Sequence, residues 1–445
     1  MKPPDVMNVN NLKLDRRNFI KTSAGAGLFI ATAAYGSSLT GCASERPVRL
    51  GFVGVGGRGM GMLKVALSLE GVEITAVCDI VPEKVERAQS LVEAAGQPKP
   101  LGFTGPEDYK KLAELNNLDA VYTATPTNLH TPIMLAAMRA GKYGGTEMPA
   151  CTEYDQAWEL VEASEKSGKP CMLMENYAYM RNVKMVLVMS QLGMFGDLTH
   201  CECGYQHDAR YAGFGPKGEM LWRALGGQVN SNAYPTHAIG PVAQWLNINR
   251  GNRFEYLVSM SSRAVGQNYY AAKKFGADHP AATMKYAQGD VNTTLIQTHN
   301  GITITLYYDT KNPRPPDWIY RIQGTKGIYS GTLNKIYLED LSPKPHQWED
   351  IEQYQEKYDH PLWKKYGSIA NSSGHGGGDY LCFRDFVQAI RNGTDTPIDV
   401  YDTVTWSIIT KLTAESVSGK SRPVDFPDYT KGKWETRKPD LIING

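Results

Sequence analysis

The chain has 445 residues and nearly balanced charge, with 47 Lys and Arg against 46 Asp and Glu for a formal net charge of +1. That balance excludes the basic field that holds nucleic acid, and 42% hydrophobic with 21% charged residues describes a folded chain rather than a disordered one. The length suffices for two or three domains with sizeable cores.

Residues 1–46 read as a targeting segment, set apart from the fold. Asp15-Arg16-Arg17-Asn18-Phe19-Ile20-Lys21 resembles a twin-arginine export signal. The apolar run from Ala24 to Leu39 is too short and too rich in Gly and Ala for a spanning helix. It ends in Leu39-Thr40-Gly41-Cys42, which resembles a bacterial lipoprotein cleavage box with Cys42 as the lipidated first residue. The expectation is a protein exported by the twin-arginine route, periplasmic or anchored in the outer membrane, touching the bilayer only through that lipid.

Val48 to Val53 is an apolar β run leading into Gly54-x-Gly56-x-x-Gly59, with Gly57 and Arg58 inside the turn. Met60 to Leu69 reads as a helix, and a second β run, Val72 to Cys78, ends in Asp79. A dinucleotide-binding βαβ unit requires that order. Gly54 permits the tight turn, Gly56 lets the backbone approach a pyrophosphate, and Gly59 lets the helix pack close to the strand. The helix N-terminus offers N–H groups to phosphate. Asp79 suits the ribose hydroxyls and repels a 2′-phosphate, which favours NAD over NADP.

The alternation continues. A helix runs from Pro82 to Ala95, and a short strand and helix follow between Gly102 and Leu112. Leu118 to Thr125 is the fourth strand, after which Thr127-Asn128-Leu129-His130 opens the helix from Thr131 to Ala140. The strand from Lys142 ends in Glu147-Met148-Pro149, Tyr154 to Ser167 is helical, and Pro170 to Asn176 is the sixth strand. Residues 47–176 therefore predict a doubly wound parallel sheet whose strand ends open on one crevice.

From Tyr177 the pattern changes. A helix over 181–195 and a strand from Leu198 to Gln206 precede a helix from His237 to Leu246. Arg253–Ser262, Val291–Thr298, Ile302–Tyr308, Ile319–Gly324 and Gly327–Ser330 alternate at period two. Residues 177–445 predict an α+β domain with a large, open, mostly antiparallel sheet, closed by helices from Asp379 and Tyr401. Gly374-His375-Gly376-Gly377 reads as a flexible turn before the Asp379 helix. The six cysteines beyond Cys42 lack C-x-x-C spacing, which supports no zinc ribbon or redox motif, and Cys201 and Cys203, alternating along one strand, read as buried thiols. His207-Asp208 has no further ligand at metal spacing, so no metal is expected.

Asp79, Ala124-Thr125-Pro126-Thr127-Asn128-Leu129-His130 and Glu147-Met148-Pro149 resemble the strand-end motifs of the Gfo/Idh/MocA oxidoreductase family. Met148 stands where that family's catalytic lysine belongs, and Ala233 stands four residues before His237 where it has an aspartate. Met174-Glu175-Asn176, Gly204-Tyr205-Gln206-His207-Asp208, Trp222-Arg223, Tyr234-Pro235-Thr236-His237, Tyr358-Asp359-His360-Pro361 and Gly374-His375-Gly376-Gly377 resemble a narrower group, the NAD-dependent glycosidases of glycoside hydrolase family 109. Its members are typically α-N-acetylgalactosaminidases. One departure is Pro316, after Arg314-Pro315, at a place where the family carries a substrate-contacting tyrosine.

The resemblance implies a cycle of oxidation at carbon 3, elimination, water addition and re-reduction, with tightly bound NAD recycled in each turnover. No cofactor exchange is then needed outside the cytoplasm. It makes His237 the base at the carbon-3 hydroxyl, with Tyr234 sharing that role or holding the hydroxyl and the nicotinamide ribose. Tyr177 or Tyr179, the former preferred, serves carbon 2 or the substrate. Glu147 contacts nicotinamide and sugar. Met148, Asn176 and Thr127 to His130 join Gly54, Gly56, Gly57, Arg58, Gly59 and Asp79 around the cofactor. Tyr205, Arg223 and the segment Tyr234-Pro235-Thr236-His237 meet a substrate with a terminal amino sugar. A homodimer through the second sheet is a further expectation. The alternatives are a periplasmic sugar oxidoreductase on trapped NAD(P) and a non-catalytic sugar-binding lipoprotein.

Overall fold

Two sheets carry the chain, and the helices that follow the second sheet return to cover the first. The computed structural model describes residues 46–225 and 229–439; the export and lipidation features at Arg16, Arg17 and Cys42 lie outside them. The described residues belong to one compact unit. No helix among them is long and apolar enough to cross a membrane.

The first sheet is built from β1 (Val48–Val53), β2 (Val72–Cys78), β3 (Leu101–Phe103), β4 (Ala120–Thr123), β5 (Tyr143–Thr146) and β6 (Cys171–Leu173). Helices α1 (Gly57–Leu67), α2 (Pro82–Ala94), α3 (Tyr109–Ala113), α4 (His130–Arg139) and α5 (Tyr154–Ser167) connect them. The order β3-β2-β1-β4-β5-β6 is the doubly wound arrangement anticipated, and every pairing is parallel. All strands but the edge strand β3 are buried on both faces, as crossover helices require. Strand order reverses between β1 and β4, so the carboxyl ends of these two strands open the crevice.

After α6 (Arg181–Gln191) come β7 (Leu198–Gln206), the short α7 (Trp222–Leu225), α8 (Thr236–Trp245) and β8 (Phe254–Ser261). Two helices with no periodic signal follow, α9 (Gly266–Phe275) and α10 (Pro280–Thr283). Then β9 (Val291–Thr298), β10 (Thr303–Asp309), β11 (Asp317–Gly324), β12 (Gly327–Ser330), β13 (Lys335–Leu338) and β14 (Glu349–Asp350) build most of the second sheet. Helices α11 (Gln355–Tyr358), α12 (Pro361–Ala370), α13 (Gly378–Asn392), α14 (Val400–Ser407) and α15 (Ile409–Ser418) lead to β15 (Val424–Asp425) at its far edge. The order is β14-β13-β12-β11-β7-β10-β9-β8-β15. Among the described residues of this sheet only β7 and β10 pair in parallel; the antiparallel remainder is the open sheet expected.

α13 packs on α1 and β1 of the first sheet. Its Phe383 sits 6.0 Å from Phe52 and 5.6 Å from Tyr122, ring centroid to centroid, so a late helix fills an early core. α14 closes the β6 edge: the Thr403 hydroxyl accepts from Leu173 N at 2.9 Å and donates to Cys171 O at 3.0 Å. The six described cysteines are free and buried.

Candidate active site

The glycine turn has the geometry its spacing implies. Gly54 sits at φ +82°, and a Cβ there would lie 2.7 Å from Ala124 O. A Cβ on Gly59 would lie 1.8 Å from Gly54 O, so only glycine brings α1 this close to β1. Over Gly56 and Gly57 a Cβ would meet nothing within 4 Å, and no side chain caps α1. A helix N-terminus that no side chain caps, with open space above two glycines, fits a dinucleotide pyrophosphate. Asp79 lies beside it, where its Oδ2 accepts from Val55 N at 3.0 Å and its Oδ1 from Val81 N at 3.1 Å. The carboxylate thus fixes the turn as well as flanking the ribose position.

Thr127 to Leu129 form a 3₁₀ turn at the mouth of β4, with Asn128 exposed. His130, by contrast, is buried: Nδ1 lies 2.8 Å from Pro149 O and Nε2 2.9 Å from Thr125 O. Its ring ties the β4 and β5 exits together and does not face the crevice. Met148 is likewise packed in the core, just before a cis bond to Pro149.

Arg58 is the hub of the crevice floor. It donates from Nε to Glu147 Oε1 at 2.7 Å and from both terminal nitrogens to Asp379, at 3.0 and 2.9 Å. The Tyr122 hydroxyl donates to the same Glu147 oxygen at 2.7 Å. Asn176 Nδ2 donates to Asp379 Oδ1 at 2.7 Å, and His375 Nδ1 lies 2.8 Å from Asp379 Oδ2. Burial opposes the Arg58 charge, yet Glu147, Tyr122 and Asp379 outweigh it and its pKa rises. Burial likewise opposes ionisation of Asp379, but His375 and Arg58 hold its pKa well below the carboxylate range. The His375 turn is therefore pinned, not loose as the glycines suggested.

Above this floor stands His237, on the first turn of α8. Its Nδ1 lies 2.6 Å from Glu175 Oε1, and both side chains are buried. Glu175 also accepts from Tyr177 N at 3.1 Å, and the Tyr320 hydroxyl donates to His237 O at 2.5 Å. With Nδ1 committed to a carboxylate, Nε2 is the nitrogen left for a ligand. Aromatic rings surround the imidazole: Tyr177 at 4.2 Å, Tyr234 at 4.9 Å and Tyr205 at 5.3 Å between centroids. Trp318 of β11 packs on Tyr177 at 4.8 Å and on Tyr205 at 5.5 Å. Burial raises the phenol pKa of Tyr177, Tyr205 and Tyr234. The exposed Arg223 bears on the same cluster, where its charge opposes the rise at Tyr205 and Tyr234. Pro235 and Thr236 are buried and set the start of α8.

Tyr179 is not part of this cluster. β6 ends at Leu173, and Asn176 to Tyr179 form a 3₁₀ turn. At three residues per turn, residues two apart point in different directions. Tyr177 consequently meets His237, while Tyr179 is fully buried with Lys184 4.4 Å from its ring centre. A catalytic part for Tyr179 is corrected on that ground.

Spacing alone did not reveal Glu175, Asp379, Trp318 and Tyr320. Glu175 had a signal, an acid one residue before Asn176 at a crevice strand end. Asp379 had a weaker one, an acid opening a helix after four near-consecutive glycines. Trp318 and Tyr320 are strand aromatics that sequence cannot separate from core.

The glycine turn, the acid after β2 and the imidazole on the first turn of α8 define an NAD-binding enzyme of the oxidoreductase fold. Residues 48–175 match the family described as "Oxidoreductase family, NAD-binding Rossmann fold", and residues 179–436 match "Glycosyl hydrolase 109, C-terminal domain". A "Glycosyl hydrolase family 109 protein" of Shewanella pealeana is 40% identical over 97% of this chain and 100% of its own. A Shewanella oneidensis relative named "Alpha-N-acetylgalactosaminidase" is 38% identical over 97% of this chain and 99% of its own. The chain belongs to glycosyl hydrolase family 109 and is a glycosidase with an NAD-binding domain. Among solved structures, levoglucosan dehydrogenase in complex with NADH shares the fold with a TM-score of 0.67 at 17% identity, over 86% of this chain and 100% of that one. An NAD-binding oxidoreductase from Klebsiella pneumoniae gives a TM-score of 0.69 at 15% identity, over 85% and 98% of the two chains.

Proposed function

We propose that this enzyme cleaves α-N-acetylgalactosaminides by oxidation at carbon 3, elimination across carbons 2 and 1, addition of water and re-reduction, with one retained NAD. One observation carries the reading: the carboxylates beside the cluster are spent on cations and imidazoles. Glu147 is bound by Arg58, Asp379 by Arg58 and His375, and Glu175 by His237. An ordinary glycosidase needs one protonated and one ionised carboxylate facing the sugar. Here the group facing the ligand space is an imidazole backed by an acid, which suits removal of a hydroxyl proton.

When bound, the nicotinamide supplies a reversible hydride acceptor for carbon 3. His237 Nε2 takes the proton of the carbon-3 hydroxyl, and Glu175 stabilises the imidazolium that forms, as a carboxylate does behind any catalytic histidine. The ketone acidifies the carbon-2 proton. Tyr177 takes that proton as the phenolate, having first released its hydroxyl proton to solvent; burial raises the phenol pKa, so the anion, once formed, is a strong base for a carbon acid. Tyr205, Tyr234 and Arg223 hold the sugar, and Arg58 with Glu147 orders the nicotinamide end of the crevice. The named relative supports the choice of sugar, and export before use supports retention, since there is no cofactor pool to exchange with outside the cytoplasm. Anchoring by a lipid on Cys42 belongs to the same reading.

The test is nitrophenyl α-N-acetylgalactosaminide in heavy water without added NAD. Phenol release with deuterium at carbon 2 is expected. Release without exchange overturns the cycle. No release, with conversion of a sugar pair instead, makes the enzyme a hydride shuttle between sugars.

A further inference from the structure

At the start of β11 the second sheet opens on one side. β11 pairs with β7 over its whole length, from Asp317 opposite Gln206 to Gly324 opposite Leu198. Its pairing with β12 covers only Arg321 to Gly324. Beside the unpaired start of the strand lies a cavity of about 460 Å³, walled by Arg314, Pro315, Pro316, Asp317 and Trp318 and, after β12, by Thr332. That volume falls within the range of about 300–1,000 Å³ usual for small-molecule sites.

The wall suits a neutral polyol. The two prolines are rigid and apolar. Arg314 donates from Nη1 to Asp309 Oδ2 at 3.1 Å and from Nη2 to Asp317 Oδ2 at 3.4 Å. The Thr332 hydroxyl donates to Asp317 Oδ1 at 2.9 Å. One guanidinium thus faces two carboxylates, which leaves no surplus positive charge for an anion. The side chains of Arg314 and Asp317 are still 26% and 30% exposed, so donors and acceptors stand together beside an apolar surface. A sugar ring matches that combination, with C–H faces edged by hydroxyls that both donate and accept.

Trp318 belongs to the cavity and to the reaction cluster at once. It lines the cavity and packs on Tyr177 at 4.8 Å, while Tyr177 packs on His237 at 4.2 Å. A sugar with its 3-hydroxyl at His237 and its carbon 2 at Tyr177 has carbon 1 next along the ring. Its glycosidic oxygen then directs the rest of the substrate toward Trp318. An acetyl group on carbon 2 is far too small to fill the space.

We propose that the cavity between Trp318 and Thr332 is an aglycone subsite for a neutral hexose, the first sugar on the leaving side of the scissile bond. This rests on the placing of carbons 3 and 2 in the cycle proposed above. Pro315, Pro316 and Trp318 meet the C–H surface of that hexose, and Arg314, Asp317 and Thr332 meet its hydroxyls. Binding energy from this ring, remote from the reacting carbons, holds the bond over the reaction cluster. The substrate is the end of an oligosaccharide, not a sugar on a small alcohol.

The test is a ratio: kcat/KM for α-linked N-acetylgalactosaminyl hexoses, joined through the 3-, 4- or 6-hydroxyl, over kcat/KM for the methyl glycoside. Leaving-group chemistry is the same in wild type and variant, so a change in the ratio reads the cavity alone. In T332W, which fills the cavity, the ratio for the preferred disaccharide should fall about 10-fold or more, and in D317N about 10-fold through the lost charge-assisted bonds. NAD content and methyl glycoside turnover show that each variant has folded. A ratio within about twofold of wild type in D317N, which keeps the shape of the side chain, would overturn the inference, as would an equal fall for both substrates. Wild-type enzyme that releases nothing from any α-N-acetylgalactosaminide, the nitrophenyl one included, would fail the reaction itself and the subsite with it, a result distinct from an unchanged ratio.

Discussion

Asp379 serves four donor groups with two oxygens, and that load sets a pH signature. Its folded pKa is depressed, since His375 and Arg58 overcome the opposing effect of burial. A depressed carboxylate contributes stability that is complete above its unfolded value, ~3.9, and is lost as pH falls through the folded value. Replacing Asp379 by Asn leaves the buried part of Arg58 short of its partner, at a cost of about 3 kcal/mol or more at pH 7. Denaturant titrations at stepped pH should show the gap between wild type and D379N constant near neutrality and narrowing below pH ~4. A gap independent of pH would mean that the loss is packing alone. Little of this was legible in the sequence. The partners Arg58 and Asp379 are 321 residues apart, and neither carries a spacing rule that points to the other. His237 and Tyr234 were legible because they share one short segment with a recognisable motif, whereas the acid behind His237 comes from another strand end.

At the level of elements, the turn into α1 is the best-read piece and the strand before Tyr177 the worst. Glycine spacing states its reason openly: a Cβ at position 59 has no room. Gly59→Ala should therefore force α1 off β1, cost about 1–3 kcal/mol and empty the purified protein of NAD, read by absorbance of the nucleotide released on denaturation. A G59A protein that keeps its full nucleotide would refute the close approach. From sequence the sixth strand extends through Asn176, because an apolar run does not announce where pairing stops. The structure ends it at Leu173 and spends the next residues on a 3₁₀ turn. That difference decides which tyrosine meets His237, since a turn and a strand aim neighbouring side chains differently.

For the whole molecule, the two-sheet architecture was foreseen from periodicity, but the way the chain closes on itself was not. Hydrophobic alternation identifies strands and says nothing of which late helix covers which early sheet. Phe383 of α13 packs against the paired rings of Phe52 and Tyr122, and Thr403 of α14 completes the β6 edge. A fragment of residues 47–176, cut where the composition shifts, should then lack part of its own core. It is expected to give a non-cooperative thermal transition and no measurable NAD binding by calorimetry, although it holds the entire glycine motif. A cooperative, NAD-binding fragment would show that the late helices are dispensable.

The bond from Arg58 to Asp379 also imposes an order on biogenesis. Arg58 emerges early from the ribosome, and its bidentate partner is made when most of the chain is already out. Until then the guanidinium lacks the acid that holds it over the crevice floor. A truncated or half-folded chain has the phosphate turn but not the clasp, so the full set of contacts on Arg58 exists only once synthesis is nearly complete.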